Sequence, residues 1–343
     1  MDNRNGASGA AVFVQTNEVE ANRLLVFGRD PDGRLSPPQT IETGGNGDGI
    51  PHLTSQGSLV LTQDAKHLLV VNAGSDELSL FQLGGEPSLL QVVPTGGRSP
   101  KSVAEHAGLV YVLNADSPSL AGFRLVGDQL EPLEGSVRDL APDADPAQVG
   151  FSPDGSTLVV TERGTNAILV CPVAADGLLA DPVASPSVGP TPYGFAFTPS
   201  GALIVTEAFG AEKGKAAASS YRLLGDRVEP ISRSIGNGRS EICWAVTTND
   251  GRHVYATNFA DGAVSRYAVG EDGSITLDEA VAGSAVEGKT GLRDEDLTAD
   301  GRFLYAIDAD TGRVLGWHVG DRELNPVGSW ETKSRTIAGL AAS

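Results

Sequence analysis

Three glutamates, Glu18, Glu162 and Glu207, each stand directly after a small polar residue that closes an alternating apolar run. The same place in the other runs holds Ala73, Ala115, Phe259 and Ala309, so carboxylates are the exception in this row. Acids that share one cavity push each other's ionisation apart, which is what a general acid and a general base require. A row of solvated acids pointing outward is the competing reading, because carboxylates are mostly exposed. A second row opens further apolar runs and reads Lys101, Ala147, Tyr193, Cys243 and Arg293. Arg293 heads the charged stretch Arg293-Asp-Glu-Asp296, where the sister runs are apolar. Charge in a nominally buried stretch marks either internal pairing, here with Asp294 or Asp296, or function. A guanidinium so placed can hold a substrate carboxylate bidentately. Gln148, Trp244 and His52 complete the polar and aromatic candidates, His52 because its insert, Ile50–Gly57, can reach a channel mouth.

Positioning two such rows takes a repeating frame. A unit recurs in which a turn precedes an alternating strand, a small polar residue, a second strand and a Gly-containing turn. Examples are Pro153-Asp-Gly-Ser-Thr-Leu-Val-Val-Thr161, Asn249-Asp-Gly-Arg-His-Val-Tyr-Ala-Thr-Asn258 and Ala299-Asp-Gly-Arg-Phe-Leu-Tyr-Ala-Ile-Asp308. The Asp-Gly dipeptides supply positive backbone angles for tight hairpins, and the Val, Leu, Ile and Tyr that follow suit a half-buried strand. The polar residues closing these strands are Asn17, Asn72, Asn114, Thr161, Thr206, Asn258 and Asp308, spaced by 55, 42, 47, 45, 52 and 50 residues. Such a period is that of a four-stranded propeller blade, about 40–50 residues. Seven markers predict an all-β, seven-bladed β-propeller of four-stranded antiparallel blades, occupying residues 1–343 as one domain. The first strand, Val12–Thr16, starts at a marker, so its blade lacks an innermost strand that Ile337–Ala342 can supply. This closure removes an exposed sheet edge. Two inserts, Thr43–Gly49 and Gly210–Ser219, read as surface loops bordering the site.

Composition narrows the function. Of 343 residues, 44 are Asp or Glu against 25 Lys or Arg, a net charge of −19. A surface this acidic repels phosphate backbones and anionic headgroups, so neither nucleic acid nor a membrane is the expected partner. A small-molecule substrate is, with the chain a monomer or weak homo-oligomer. The 43 Gly and 20 Pro fit short strands and tight turns. Cys171 and Cys243 lie in apolar runs with no Cys-x-x-Cys motif, and the five histidines have no metal spacing. No metal site and no cofactor is expected, calcium being a minority reading that would use the oxygens of Asn17, Asn72, Asn114, Asn258 and Asp308. The opening residues lack the apolar stretch of a signal peptide, which points to the cytoplasm unless a leader has been removed.

The repeat around Lys66-His-Leu-Leu-Val-Val-Asn-Ala-Gly-Ser75 resembles the seven-bladed lactonase family, which includes 6-phosphogluconolactonase and 3-carboxymuconate lactonizing enzyme. The resemblance spans essentially the whole chain. It implies a lactonase-like activity in the central channel, hydrolysing or forming a small lactone without an obligatory metal. The family's site gathers a His, a Glu and arginines; blade by blade, the Glu falls on Glu207 and one Arg on Arg293. The His position holds Ala147, and the other Arg-His pair is replaced by Tyr193-Gly194. Catalysis is therefore expected from Glu207, Arg293 and Glu162, with a rebuilt, less cationic pocket formed by Tyr193, Gln148, Trp244, Lys101, His52 and Glu18. A calcium-dependent propeller hydrolase and a non-catalytic binding propeller are the alternatives.

Overall fold

The computed structural model describes residues 10–50, 53–285 and 289–343. The Asp-Gly turns read above join the innermost strand to the next in three of the blades. Gly155, Gly251 and Gly301 adopt φ of 70°, 67° and 69°, the left-handed region that glycine enters without a Cβ penalty. The preceding aspartate locks the turn: Asp154 Oδ1 accepts from Ser152 Oγ at 2.6 Å and from the Ser156 amide at 3.1 Å. Asp250 and Asp300 repeat the arrangement with Thr248 and Thr298.

The strands so started assemble into seven antiparallel sheets. Blades two to seven have as innermost strands Leu59–Leu61, Pro100–His106, Pro146–Phe151, Pro192–Phe197, Ile242–Thr247 and Leu292–Leu297. Blade three carries one extra two-residue strand, Arg138–Asp139. Blade one is completed by Ala338–Ala342, whose Ala342, Ala341 and Leu340 oppose Val12, Phe13 and Val14. The expected clasp of the first and last strands is what the chain forms.

The core lies between blades. Leu69 and Val71 of blade two pack with Val110 and Val112 of blade three, and Val12 and Val14 of blade one with Tyr305 and Ile307 of blade seven. Each fully buried aliphatic or aromatic side chain stabilises the ring by about 1.5–3 kcal/mol.

The two inserts are more ordered than free loops. Gly47 approaches the Asn17 backbone so closely that a Cβ would lie 2.1 Å from its carbonyl carbon, and Thr43 is fully buried. The second insert runs directly into Ala217–Leu224, the third strand of blade five. Among the described residues no helix is long and apolar enough to cross a membrane.

Candidate functional site

The starts of the innermost strands converge on one mouth of the channel. Tyr193 and Cys243 of the second row meet there, packed with Ala147, Ala208, Trp244 and Phe259. Tyr193 and Trp244 form an edge-on pair, ring centroids 5.5 Å apart. The Arg293 guanidinium lies 3.6 Å from the Phe259 ring centroid and 5.7 Å from that of Trp244. On the far side, Arg163 stacks 4.9 Å from Tyr193 and is anchored to Asp145 Oδ1 at 2.5 Å. Two guanidiniums thus flank one aromatic platform. Lys101, half-buried, opens the inner strand of blade three on the same mouth.

Arg293 is 6% exposed, its Nε has no hydrogen-bond partner, and among the described residues no carboxylate lies within ion-pair distance. Aromatic faces offset part of the desolvation of a guanidinium, but burial still pulls the Arg293 pKa down. The same burial raises Tyr193, and lifts the Cys243 thiol to about 12. Glu241, just before the inner strand of blade six, is pushed above the ordinary carboxylate range by burial, while Arg293 pulls it back.

A strap crosses the channel below this mouth. The Ser55 carbonyl accepts from Trp244 Nε1 at 2.7 Å, and Ser55 Oγ donates to the Lys101 carbonyl. The Gln56 amide donates to the Ala245 carbonyl at 2.8 Å and accepts from the Ala245 N–H at 3.0 Å. Ser102 Oγ donates to the Gln56 carbonyl. Blades two, three and six are therefore tied through Leu53–Gly57, and the channel is divided into an upper mouth and a lower cavity. The insert carrying His52 forms this strap; His52 itself lies outside the described residues.

The glutamate row does not meet in the channel. Glu207 is fully buried within blade five, where its carboxyl accepts from the Gly189 amide at 2.9 Å, Ser219 Oγ at 2.5 Å and Ser234 Oγ at 2.6 Å. Glu162 accepts from Thr165 Oγ1 at 2.5 Å and lines an outer groove of about 500 Å³ between blades three and four. Burial raises its pKa. Glu18 pairs with Arg23. Gln148 spends both ends of its amide on the Phe195 backbone, 2.6 and 3.0 Å away. These placements take Glu18, Glu162, Glu207 and Gln148 away from Arg293.

The marker ring is equally committed. Asn72 bonds Asn22, Thr43 and Ser79, and Asn258 bonds Asn237 and Ser265. Among the described residues no three His, Cys, Asp or Glu side chains are grouped to hold a metal ion. The asparagine amides are thus a poor fit for calcium. Sequence reasoning did not single out Glu241, two residues before Cys243 of the second row, nor Arg163 and Phe259, which stand at the ends of the marker strands after Glu162 and Asn258.

Known proteins supply the wider frame. Among curated proteins none matches the chain. A solved structure of a candidate 6-phosphogluconolactonase from Bacteroides uniformis superposes with a TM-score of 0.75 at 18% identity, covering 98% of this chain and 100% of its own. The periplasmic gluconolactonase PpgL of Pseudomonas aeruginosa gives 0.72 at 18% identity, over 97% and 98%. Virginiamycin B lyase from Staphylococcus aureus gives 0.58 at 13% identity, over 83% and 87%. At such identities the likeness concerns the fold. The model of the family described as "Lactonase, 7-bladed beta-propeller" matches residues 10–138, 128–208 and 207–336; the chain belongs to that family.

Proposed function

We propose that this propeller hydrolyses, or in reverse forms, a small lactone at the upper mouth, with Arg293 as the group that binds the reacting oxygen. The observation that carries the reading is the buried, unpaired Arg293 guanidinium on its aromatic platform. A charge left without a counter-ion in a desolvated site is costly unless a ligand supplies one. A lactone carbonyl oxygen, which gains negative charge as water adds, is such a partner. Tyr193, Trp244 and Phe259 would bind the ring through their faces and exclude water.

Glu241 is the carboxyl best matched to the proton transfers, since it feels Arg293 and its raised pKa brings it nearer neutrality. In hydrolysis it takes a proton from the attacking water as the new C–O bond forms. When the ring C–O bond breaks, it returns that proton to the departing alkoxide, leaving a hydroxy acid. Lys101 and Arg163 stand where they can hold the product carboxylate. Family membership and the gluconolactonase neighbour support the reaction class; Ala147 and Tyr193-Gly194 in place of the expected cations favour a weakly anionic substrate.

The test is lactone hydrolysis by pH-stat across aldonolactones and unsubstituted lactones, comparing wild type, Arg293→Met and Glu241→Gln. Turnover lost in Arg293→Met and reduced about 10²-fold or more in Glu241→Gln is the expected result. Full turnover in Arg293→Met overturns the assignment, and silence of the wild type throughout favours a propeller that binds without reacting.

A further inference from the structure

Blades four and five carry a buried glutamate at the same position, and only blade five satisfies it. There, Gly189, Ser219 and Ser234 donate to Glu207. The strand registers identify the counterparts in blade four. Glu162 opposes Ala167 as Glu207 opposes Ala217, so Leu169 takes the place of Ser219. Ala167 opposes Pro186 as Ala217 opposes Gly236, so Ala184 takes the place of Ser234. Pro146 opposes Glu162 as Pro192 opposes Glu207, so Asp143 takes the place of Gly189. Blade four has the carboxyl without the donors. Thr165 Oγ1 bonds Glu162 Oε2, while Oε1 has no partner among the described residues, although Glu162 is only 2% exposed.

Space stands where the donors would be. Leu169 and Ala184 form the wall of the groove of about 500 Å³ that Glu162 lines, together with Leu140, Pro182 and Pro186. The groove lies beside the outer strand of blade three, which is broken into Gln129–Pro132 and Arg138–Asp139. Glu162 and Asp139 are the charged residues of its lining, and among the described residues no Lys, Arg or His joins them. Its other polar side chains are already engaged: Asn166 Oδ1 accepts from the Thr191 amide at 2.6 Å, and Ser185 Oγ from the Val228 amide at 3.3 Å. A buried acceptor is nearly always satisfied, so one left open beside a cavity calls for a donor from outside the chain. Two carboxylates without a cation require that donor to be positive. Among the described residues no three acids are grouped for a metal ion. Apolar walls favour a weakly hydrated cation, and a guanidinium is less strongly hydrated than an ammonium.

We propose that this groove binds a small alkylguanidinium ion, with Glu162 as its counter-ion. The planar fork of N–H donors suits a carboxylate, with charge-assisted bonds to Oε1 and to the lone pair that Thr165 leaves on Oε2. The alkyl stem lies along Leu140, Leu169 and the two prolines. Burial raises the Glu162 pKa, the Thr165 hydroxyl lowers it and Asp143 raises it again. Cys171, on the next strand, senses Glu162, but burial holds its thiol up at about 12 and therefore neutral. Guanidinium binding thus displaces a proton from Glu162 and tightens as pH rises. The groove lies outside the channel, so the site does not depend on the lactone reading.

Calorimetric titration of the full-length chain with n-butylguanidinium, n-butylammonium and n-butanol tests this. Expected is saturable one-site binding of the guanidinium, tighter than that of the ammonium, absent for the alcohol, and tighter near pH 8 than near pH 5. Glu162→Gln should weaken it about tenfold or more, since the charge is lost. Ala184→Ser places a hydroxyl where blade five has Ser234, giving Glu162 an internal donor, and should weaken binding about threefold or more. Absence of saturable binding, equal binding of n-butanol, or variants that both bind like wild type overturns the proposal. Should Glu162→Gln fail to fold, Ala184→Ser and the comparison of probes on the wild type decide alone.

Discussion

Replacing Glu207 separates two accounts of the same residue. The resemblance makes it a catalytic base, whereas the structure makes it the knot that joins three segments of blade five. Gly189, Ser219 and Ser234 all donate to its carboxyl, and Gly189 lies so close that a Cβ would sit 2.3 Å from Oε2. Glu207→Ala strands three buried donors. At about 1–3 kcal/mol for each unsatisfied group, with some relief as the serine hydroxyls rotate, the loss is about 3–6 kcal/mol. With an unfolding entropy of about 2 cal/mol/K per residue, that lowers Tm by about 4–9 °C for a chain this long. Glu207→Gln keeps Oε1 for Gly189 and Ser219 and can donate to Ser234, so its cost is about 1 kcal/mol. Thermal and urea unfolding of both variants provide the measurement, beside lactone turnover. A general base would behave in the opposite way, with Glu207→Gln folded as the wild type and turnover reduced about 10²–10⁴-fold. That pattern, or a Glu207→Ala variant as stable as the wild type, refutes the structural role.

Stability should also respond to the acids of the lower cavity. Asp294 and Asp296 hold their protons up to about 7 in the folded chain, and burial pushes Glu295 well above the ordinary carboxylate range. The stability of burying them neutral is complete below that range and is lost as pH rises through about 7. The urea midpoint is accordingly higher near pH 5 than near pH 8.5, and Asp294→Asn/Glu295→Gln/Asp296→Asn flattens the difference; a wild-type midpoint that rises over this interval contradicts the assignment. At the strap, Gly194→Ala would put a Cβ 2.3 Å from Gln56 Oε1 and 2.4 Å from the Cys243 carbonyl. Both atoms are held, so the variant should lose about 1–3 kcal/mol and speed amide exchange over residues 53–57; an unchanged melt and exchange pattern would mean that the strap is not wedged there.

The architecture was legible because each blade restates it in its own residues. The Ser- or Thr-x-Asp turn, the alternating strand and the closing polar residue reappear at Ser152–Thr161, Thr248–Asn258 and Thr298–Asp308, and local chemistry alone forms them. The spacing of the markers then leaves an unpaired first strand, which only the final apolar segment can complete.

The site was half legible, and the reason is parity within a strand. Consecutive residues point to opposite faces. The marker hydroxyls of Thr161 and Thr206 reach forward to the carbonyls of Tyr193 and Cys243 in the next blade. Glu162 and Glu207, one residue on, must then turn away, and the innermost strand stands between them and the channel. A row defined by sequence register does not reveal which face it occupies; that is fixed by packing against the neighbouring blade. The second row does gather at one mouth, where Tyr193 and Cys243 pack with the Trp244 and Phe259 rings that face Arg293, although proline marks the strand entry only at Lys101, Ala147 and Tyr193. The strap left no periodic trace, since Ser55 and Gln56 belong to an insert that occurs once. Its bonds reach Trp244 and Ala245, 189 residues away. A contact so distant and unrepeated is invisible to any pattern along the chain, yet it ties blade two to blade six across the channel.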